Sequence, residues 1–297
     1  MNQLQRRMSQ VGMATVLAFA MGACEGKKAS EVRPITPTIE LNQSRAPIGS
    51  PIKITYRFEV GSDFEPLDKD YKVFVHFLDS HDELLFTDDH EPPQPVSSWD
   101  AGLTVEYTRT IFIPLYPYLG TTSIELGLYV PETGERLGLA GDETGKGSRV
   151  GELTLLDQKE NIFLVYKEGW HQLESSPENP AIEWQWTKKE AVCSFKNPKV
   201  DTVLYLDADT NVNAFDAPLN ITINVGDNEI TQFVVSERDR FLKEIPIPAT
   251  SLGIEDWVDL RITNESSFVP SEKGLGSDTR ELGLRVYHLY VAPKSGT

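Results

Sequence analysis

Five histidines, five tryptophans and two cysteines carry most of the chemistry this chain can offer. The histidines are His76, His81, His90, His171 and His288. His76 and His288 fall in alternating, strand-like runs, where an imidazole serves most simply as a satisfied sandwich residue. Asp88-Asp89-His90 is the run nearest to a metal cluster. Neighbours on an extended chain point to opposite faces, so at most two of the three converge. A full site then needs help, from His81 or Asp82 for instance. The loop 141–145 (GDETG) offers oxygen ligands for Ca2+ without the spacing of a known calcium loop. Neither G-x-S-x-G nor H-E-x-x-H occurs. Carboxylates are so frequent that no pair stands out as a glycosidase acid and nucleophile. A metal at 88–90 is left open, and neither a cofactor nor an enzymatic activity is expected.

Glycan binding fits the side chains better. Sugars present apolar C–H faces to aromatic rings and hydroxyls to Asp, Asn, Arg and Gln. Trp170, Trp184, Trp186 and Trp257 all lie in the second half. Trp184 and Trp186 are two apart, so they share one face of a strand. Facing outward they form a platform. Facing inward they are core, and Glu183, Gln185 and Thr187 are exposed. Sandwich strands hide their large apolar face, so the inward arrangement is expected. Trp170-His171, in a loop, is then the better exposed ligand-binding pair.

The elements that must position these residues read as strands. In the first half the runs are 52–60 (IKITYRFEV), 71–78 (YKVFVHFL), 84–86, 104–113 (TVEYTRTIFI), 123–130 (SIELGLYV) and 150–156. The second set is 162–166, 182–186, 191–195, 203–207, 219–225, 229–235, 241–247, 257–263 and 282–291. Pro, Gly and Asp clusters separate them, and no run has a convincing helical period. This pattern predicts an all-β protein of two antiparallel β-sandwich domains, Ig-like or jelly-roll. The boundaries are drawn at 37–157 and 158–297. Cys193 sits in the alternating AVCSF and reads as a buried, inert thiol.

The N-terminus has three parts. Arg6 and Arg7 precede an apolar run, 11–20 (VGMATVLAFA), too short for the about 20 residues that cross a bilayer. Met21-Gly22-Ala23-Cys24 follows, and this resembles a lipobox. The resemblance implies a signal peptide over 1–23, cleavage before Cys24 and lipidation of its thiol. Residues 24–36 then form a polar tether. Two or more acyl chains hold a protein stably on a membrane. Glu25 in place of Asp implies the outer membrane in a two-membrane envelope. The formal charge is −17, and the leader removes two arginines and no acid. So acidic a surface argues against nucleic acid as a partner.

The first half contains Val73-Phe74-Val75-His76-Phe77-Leu78-Asp79, Trp99-Asp100-Ala101-Gly102, and Gly127-Leu128-Tyr129 followed by Thr133-Gly134-Glu135-Arg136-Leu137. The second half contains Gly169-Trp170, Glu174, Glu183-Trp184-Gln185-Trp186 and Asp278-Thr279-Arg280-Glu281-Leu282-Gly283. Both sets resemble accessory β-sandwich modules found beside bacterial cell-surface glycosyltransferases, the second a galactose-binding-like jelly roll. No transferase domain accompanies them. Structural roles are expected for Trp99 at a strand entry, Gly102 and Gly134 in turns, and Arg280 as a bridge between Asp278 and Glu281. The sequence thus predicts a lipid-anchored envelope protein that binds glycan or organises surface-polysaccharide assembly. The alternatives are an interaction protein that binds another envelope protein, and an unrecognised hydrolase.

Overall fold

The computed structural model describes residues 32–294 apart from 117, 143, 144 and 146. Cys24 and most of the tether lie outside the described residues, as do the central positions of the loop 141–145. Among the described residues every regular element is a strand or a short 3-10 turn.

Ten strands build the first β unit: β1 (Val32–Arg33), β2 (Ile35–Leu41), β3 (Arg45–Pro47), β4 (Pro51–Val60), β5 (Lys72–Leu78), β6 (Leu84–Thr87), β7 (Thr104–Phe112), β8 (Gly120–Tyr129), β9 (Arg136–Leu139) and β10 (Ser148–Leu156). β2, β4 and β7 form one sheet, and the other seven strands form the second. Pairing is antiparallel except for β1 with β9 and β3 with β10. The expected alternation holds along β4, whose Ile52, Ile54, Tyr56, Phe58 and Val60 are all buried. They share one core with Val73, Val75 and Phe77 of β5 and Ile124, Leu126 and Leu128 of β8. Burying the apolar face of each sheet against the other drives this packing.

The polar tether ends earlier than residue 36. Ile35 is fully buried and pairs with Val60, and Val32 already pairs with Gly138. Pro37 falls within β2, an edge strand, where a residue without an N–H is tolerated.

The second unit adds β11 (Leu164–Tyr166), β12 (Glu174–Ser175), β13 (Glu183–Trp186), β14 (Glu190–Lys196), β15 (Thr202–Asp209), β16 (Leu219–Val225), β17 (Asn228–Val235), β18 (Phe241–Ile247), β19 (Trp257–Asn264) and β20 (Arg285–Pro293). One sheet runs β11-β14-β19-β16-β17 and the other β12-β13-β20-β15-β18. Leu204 and Leu206 of one sheet meet Ile221, Ile223 and Leu260 of the other in a separate core. Cys193 belongs to that core, and burial pushes its thiol up to about 12.

The two units touch through polar and aromatic contacts. The Phe112 ring of β7 stacks on the His288 ring of β20, with centroids 4.0 Å apart. Lys53 pairs with Glu244 at 2.6 Å, and Thr110 Oγ1 donates to the same carboxylate at 3.0 Å. Asn161 Nδ2 donates to the Ile48 carbonyl at 2.9 Å, and its Oδ1 accepts from the Tyr290 hydroxyl at 2.7 Å. The sheet that carries β13 and β20 therefore has one end against the first unit and the other end open.

Candidate functional site

The open end is built by alternation. Along β15, Leu204, Leu206 and Ala208 enter the core, so Asp207 and Asp209 point to the outer face. β20 carries one extra residue opposite β15, between the pairs Asp207–His288 and Ala208–Val286. That bulge lets Arg285, Tyr287 and His288 all reach the outer face. On β13, Trp186 lies opposite Arg285, and Gln185 opposite the core residue Val286.

Trp184 and Trp186 therefore face outward, away from the main core, which corrects the inward expectation. The physical reason is the register: β13 pairs so that Gln185 takes the inner position, where its amide donates to the His171 carbonyl at 3.0 Å. Both tryptophans are half-buried, because neighbours on the outer face cover part of each ring. Trp186 packs edge-on against Phe268, and Trp184 edge-on against Tyr287.

Arg285 ties these rings together. Its guanidinium lies 5.3 Å from the Trp184 ring, 5.6 Å from Trp186 and 5.3 Å from Tyr287. Nε and Nη2 of the same group donate to Asp209 at 2.8 and 2.5 Å, and the Tyr287 hydroxyl donates there too, at 3.0 Å. One step along the sheet, Asp207 accepts from both Arg240 and His288 Nδ1. The Arg240 guanidinium sits 3.9 Å over the Tyr287 ring. Burial raises the Asp207 carboxyl, but the hydrogen bonds from Arg240 and His288 outweigh it and hold the group below the usual carboxylate range. Burial and the Asp209 charge push the Tyr287 hydroxyl up to about 12.

Two cavities flank Trp184. One of 540 Å³ is bordered by Trp184, Trp186, Asp209, Asn211, Arg280 and Arg285. The other, of 690 Å³, runs toward the junction of the units past Trp170, Leu115, Phe163 and Tyr287. Trp184 Nε1 and Asn211 Oδ1 are shielded from solvent and have no hydrogen-bond partner.

Arg280 holds one rim of the smaller cavity. It bridges Asp278 and Glu174, with Nη1 2.5 Å from Glu174 and Nη2 2.7 Å from Asp278. The expected partner Glu281 instead accepts from Ser267 at 2.7 Å. Its carboxylate also meets the Lys189 N–H, at 3.3 Å, whereas Glu174 reaches Arg280 from β12, a strand the sequence pattern did not reveal.

Trp170 and His171 do not form the exposed pair that was expected. Trp170 bridges to Thr187, donates its indole N–H to the Val192 carbonyl at 2.9 Å and packs on the core. His171 Nε2 lies 2.7 Å from the Glu281 carbonyl. Each is a half-buried structural residue, though Trp170 also borders the larger cleft.

At 88–90 the donor atoms are taken up within the protein. Asp88 receives a two-pronged bond from Arg109, at 2.8 and 2.9 Å, and another from the buried Tyr56 hydroxyl. His90 Nδ1 meets the Asp88 carbonyl and Nε2 the Tyr107 hydroxyl, both at 2.7 Å. Asp89 points the other way and accepts from the Val75 N–H. Among the described residues no group of three His, Cys, Asp or Glu side chains is placed to hold a metal ion.

Trp99 is fully buried against Phe58, with its N–H on the Gln94 carbonyl. Gly102 has φ +79° beside it. Gly134, at φ +69°, closes the turn between β8 and β9, a backbone shape that residues with a Cβ rarely take.

The sequence reading missed Asp207, Asp209, Arg240, Arg285 and Tyr287. A signal was present: Asp207-Ala208-Asp209 and Arg285-Val286-Tyr287 alternate charged or polar with apolar residues inside strands. Such a strand presents its polar residues as one face.

No family model matches the chain, and no curated protein matches it. Among solved structures it is similar to BuGH86 in complex with neoagarooctaose, at 10% identity and a TM-score of 0.24, covering 88% of this chain and 34% of that one. The Cry4Aa toxin of Bacillus thuringiensis gives 9% and 0.27, covering 89% and 52%. The N-terminal CBM22-1-CBM22-2 tandem domain of Paenibacillus barcinonensis Xyn10C gives 9% and 0.26, covering 89% and 95%. The chain thus spans about a third and about half of the first two. These TM-scores are too low to bear on ligand or activity.

Proposed function

We propose that this is a lipid-anchored protein of the bacterial envelope that binds glycan on the outer face of β13, β20 and β15, without catalysing a reaction. The observation that carries this reading is the grouping of Trp184, Trp186 and Tyr287 around the Arg285–Asp209 pair, beside a cavity of 540 Å³. Aromatic faces take the C–H side of a sugar ring, and fixed donors and acceptors take its hydroxyls. The non-catalytic reading is supported at Asp207. A glycosidase acid needs a raised pKa, whereas Arg240 and His288 hold Asp207 low. The anchor rests on the lipobox-like segment ending at Cys24.

A second reading has its own observation. Leu115, Phe163 and Leu173 are 64%, 53% and 58% exposed and border the larger cleft. An apolar rim of this kind suits a protein partner in polysaccharide assembly. The full chain on a glycan array separates the two. Glycan binding predicts retention of at least one surface polysaccharide, and no retention on any of them contradicts it in favour of a protein partner.

A further inference from the structure

We infer that the groove beside Trp184 takes an uncharged glycan, whose hydroxyls meet Arg–carboxylate pairs already formed in the free protein. This inference rests on the glycan-binding reading and narrows its ligand. The chain is strongly acidic, yet four arginines gather on this face: Arg238, Arg240, Arg280 and Arg285. Clustered arginine ordinarily points to an anionic ligand. Here three of the four are already paired with carboxylates. Arg240 holds Asp207, Arg285 holds Asp209, and Arg280 holds Asp278 and Glu174. The fourth, Arg238, faces the side-chain amide of Asn213. Four positive groups thus stand beside at least four negative ones, so the arginines leave no net positive charge on this face.

A uronate or sulfate seeking a two-pronged bond from Arg240, Arg280 or Arg285 would have to take that arginine away from its carboxylate. Asp207 and Asp209 are 8% and 9% exposed, so the displaced group would be left buried and uncompensated. The net charge of −17 repels an anion in addition. A hydroxyl meets neither penalty. It donates to a carboxylate and accepts from a guanidinium without separating the two. Among the described residues Nη1 of Arg240 and of Arg285 has no protein acceptor, so each pair keeps a donor for this purpose. The unpartnered atoms on Trp184 and Asn211 fit the same chemistry, since one is a neutral donor and the other a neutral acceptor.

The test is affinity electrophoresis of the full chain in a polyoxyethylene detergent. Separate gels carry neutral polysaccharides (dextran, galactomannan, mixed-linkage β-glucan, xyloglucan) or anionic ones (alginate, polygalacturonate). The inference predicts retardation in at least one neutral gel and in neither anionic gel. It also predicts an affinity that changes less than about twofold between about 0.05 and about 0.5 M NaCl, because a neutral ligand exchanges no counterions. Arg285→Gln is expected to weaken binding about tenfold or more, by removing a charge-assisted donor. Arg280→Gln on the rim serves as a second variant should the first lose its β-sheet circular dichroism. Retardation in an anionic gel, a tenfold loss of affinity with salt, or unchanged affinity in a folded arginine variant overturns the inference and leaves glycan binding standing. Retardation in no gel overturns both.

Discussion

His90 shows how a residue that looks functional is consumed by packing. It is buried between Tyr56 and Tyr107, at centroid distances of 5.0 and 5.5 Å. Burial, aided by the nearby Arg109 charge, holds its imidazole below the ordinary 6.5 despite the hydrogen bond to the Asp88 carbonyl. The unfolded chain therefore takes up the proton first as the pH falls. Stability is present in full above about pH 6.5, declines toward the folded-state pKa, and flattens below it. His76 shifts in the same direction by the same cause. His90→Gln should flatten part of this slope, read as urea midpoints between about pH 7 and about pH 5. Equal slopes in the two proteins would count against the assignment. At this scale the sequence was only partly legible. It offered Asp88-Asp89-His90 as neighbours, but Arg109, Tyr56 and Tyr107, which use up the polar atoms, come from other strands. Trp184 was singled out for its aromatic face, while the direction it faces depended on a register that no local pattern contains.

At the scale of elements the strands with strict alternation were the legible ones. β16 and β18 coincide with the expected 219–225 and 241–247. β1, β2, β3, β9 and β12 were not found, because two-to-four-residue strands and a proline-bearing edge leave little periodicity to read. Their absence hid the true start of the first unit and the source of Glu174. Gly169 illustrates a constraint visible only in the assembled element. It has φ +80°, and a Cβ there would lie 1.8 Å from the Glu190 carbonyl oxygen at the start of β14. Gly169→Ala must push that strand aside and with it the acceptor for the Trp170 indole. We expect a loss of about 3 kcal/mol or more in urea unfolding, the range of a core position forced out of place. A loss under about 1 kcal/mol would mean that the loop yields without disturbing β14.

At the scale of the molecule, two cores meet at a junction built from Phe112, His288, Glu244 and Asn161, and the first unit covers one end of the second unit's outer face. The anchor should hold this pair of units on a membrane through Cys24. Radiolabelled palmitate is expected to label the wild type and leave Cys24→Ala unlabelled; label on both would remove the anchor. The central claim concerns the outer face, and two tryptophans test it against each other. Trp184 lies on that face. Trp257 is 56% exposed on β19, in the opposite sheet from the arginine pairs. The most direct measurement is the dissociation constant of the full chain and its Trp184→Ala and Trp257→Ala variants for the tightest-binding array polysaccharide. The account predicts a loss of about tenfold or more for Trp184→Ala, in keeping with about 1–3 kcal/mol for an aromatic contact, and an unchanged value for Trp257→Ala. Binding that survives Trp184→Ala in a folded protein, or that falls with Trp257→Ala instead, would contradict it.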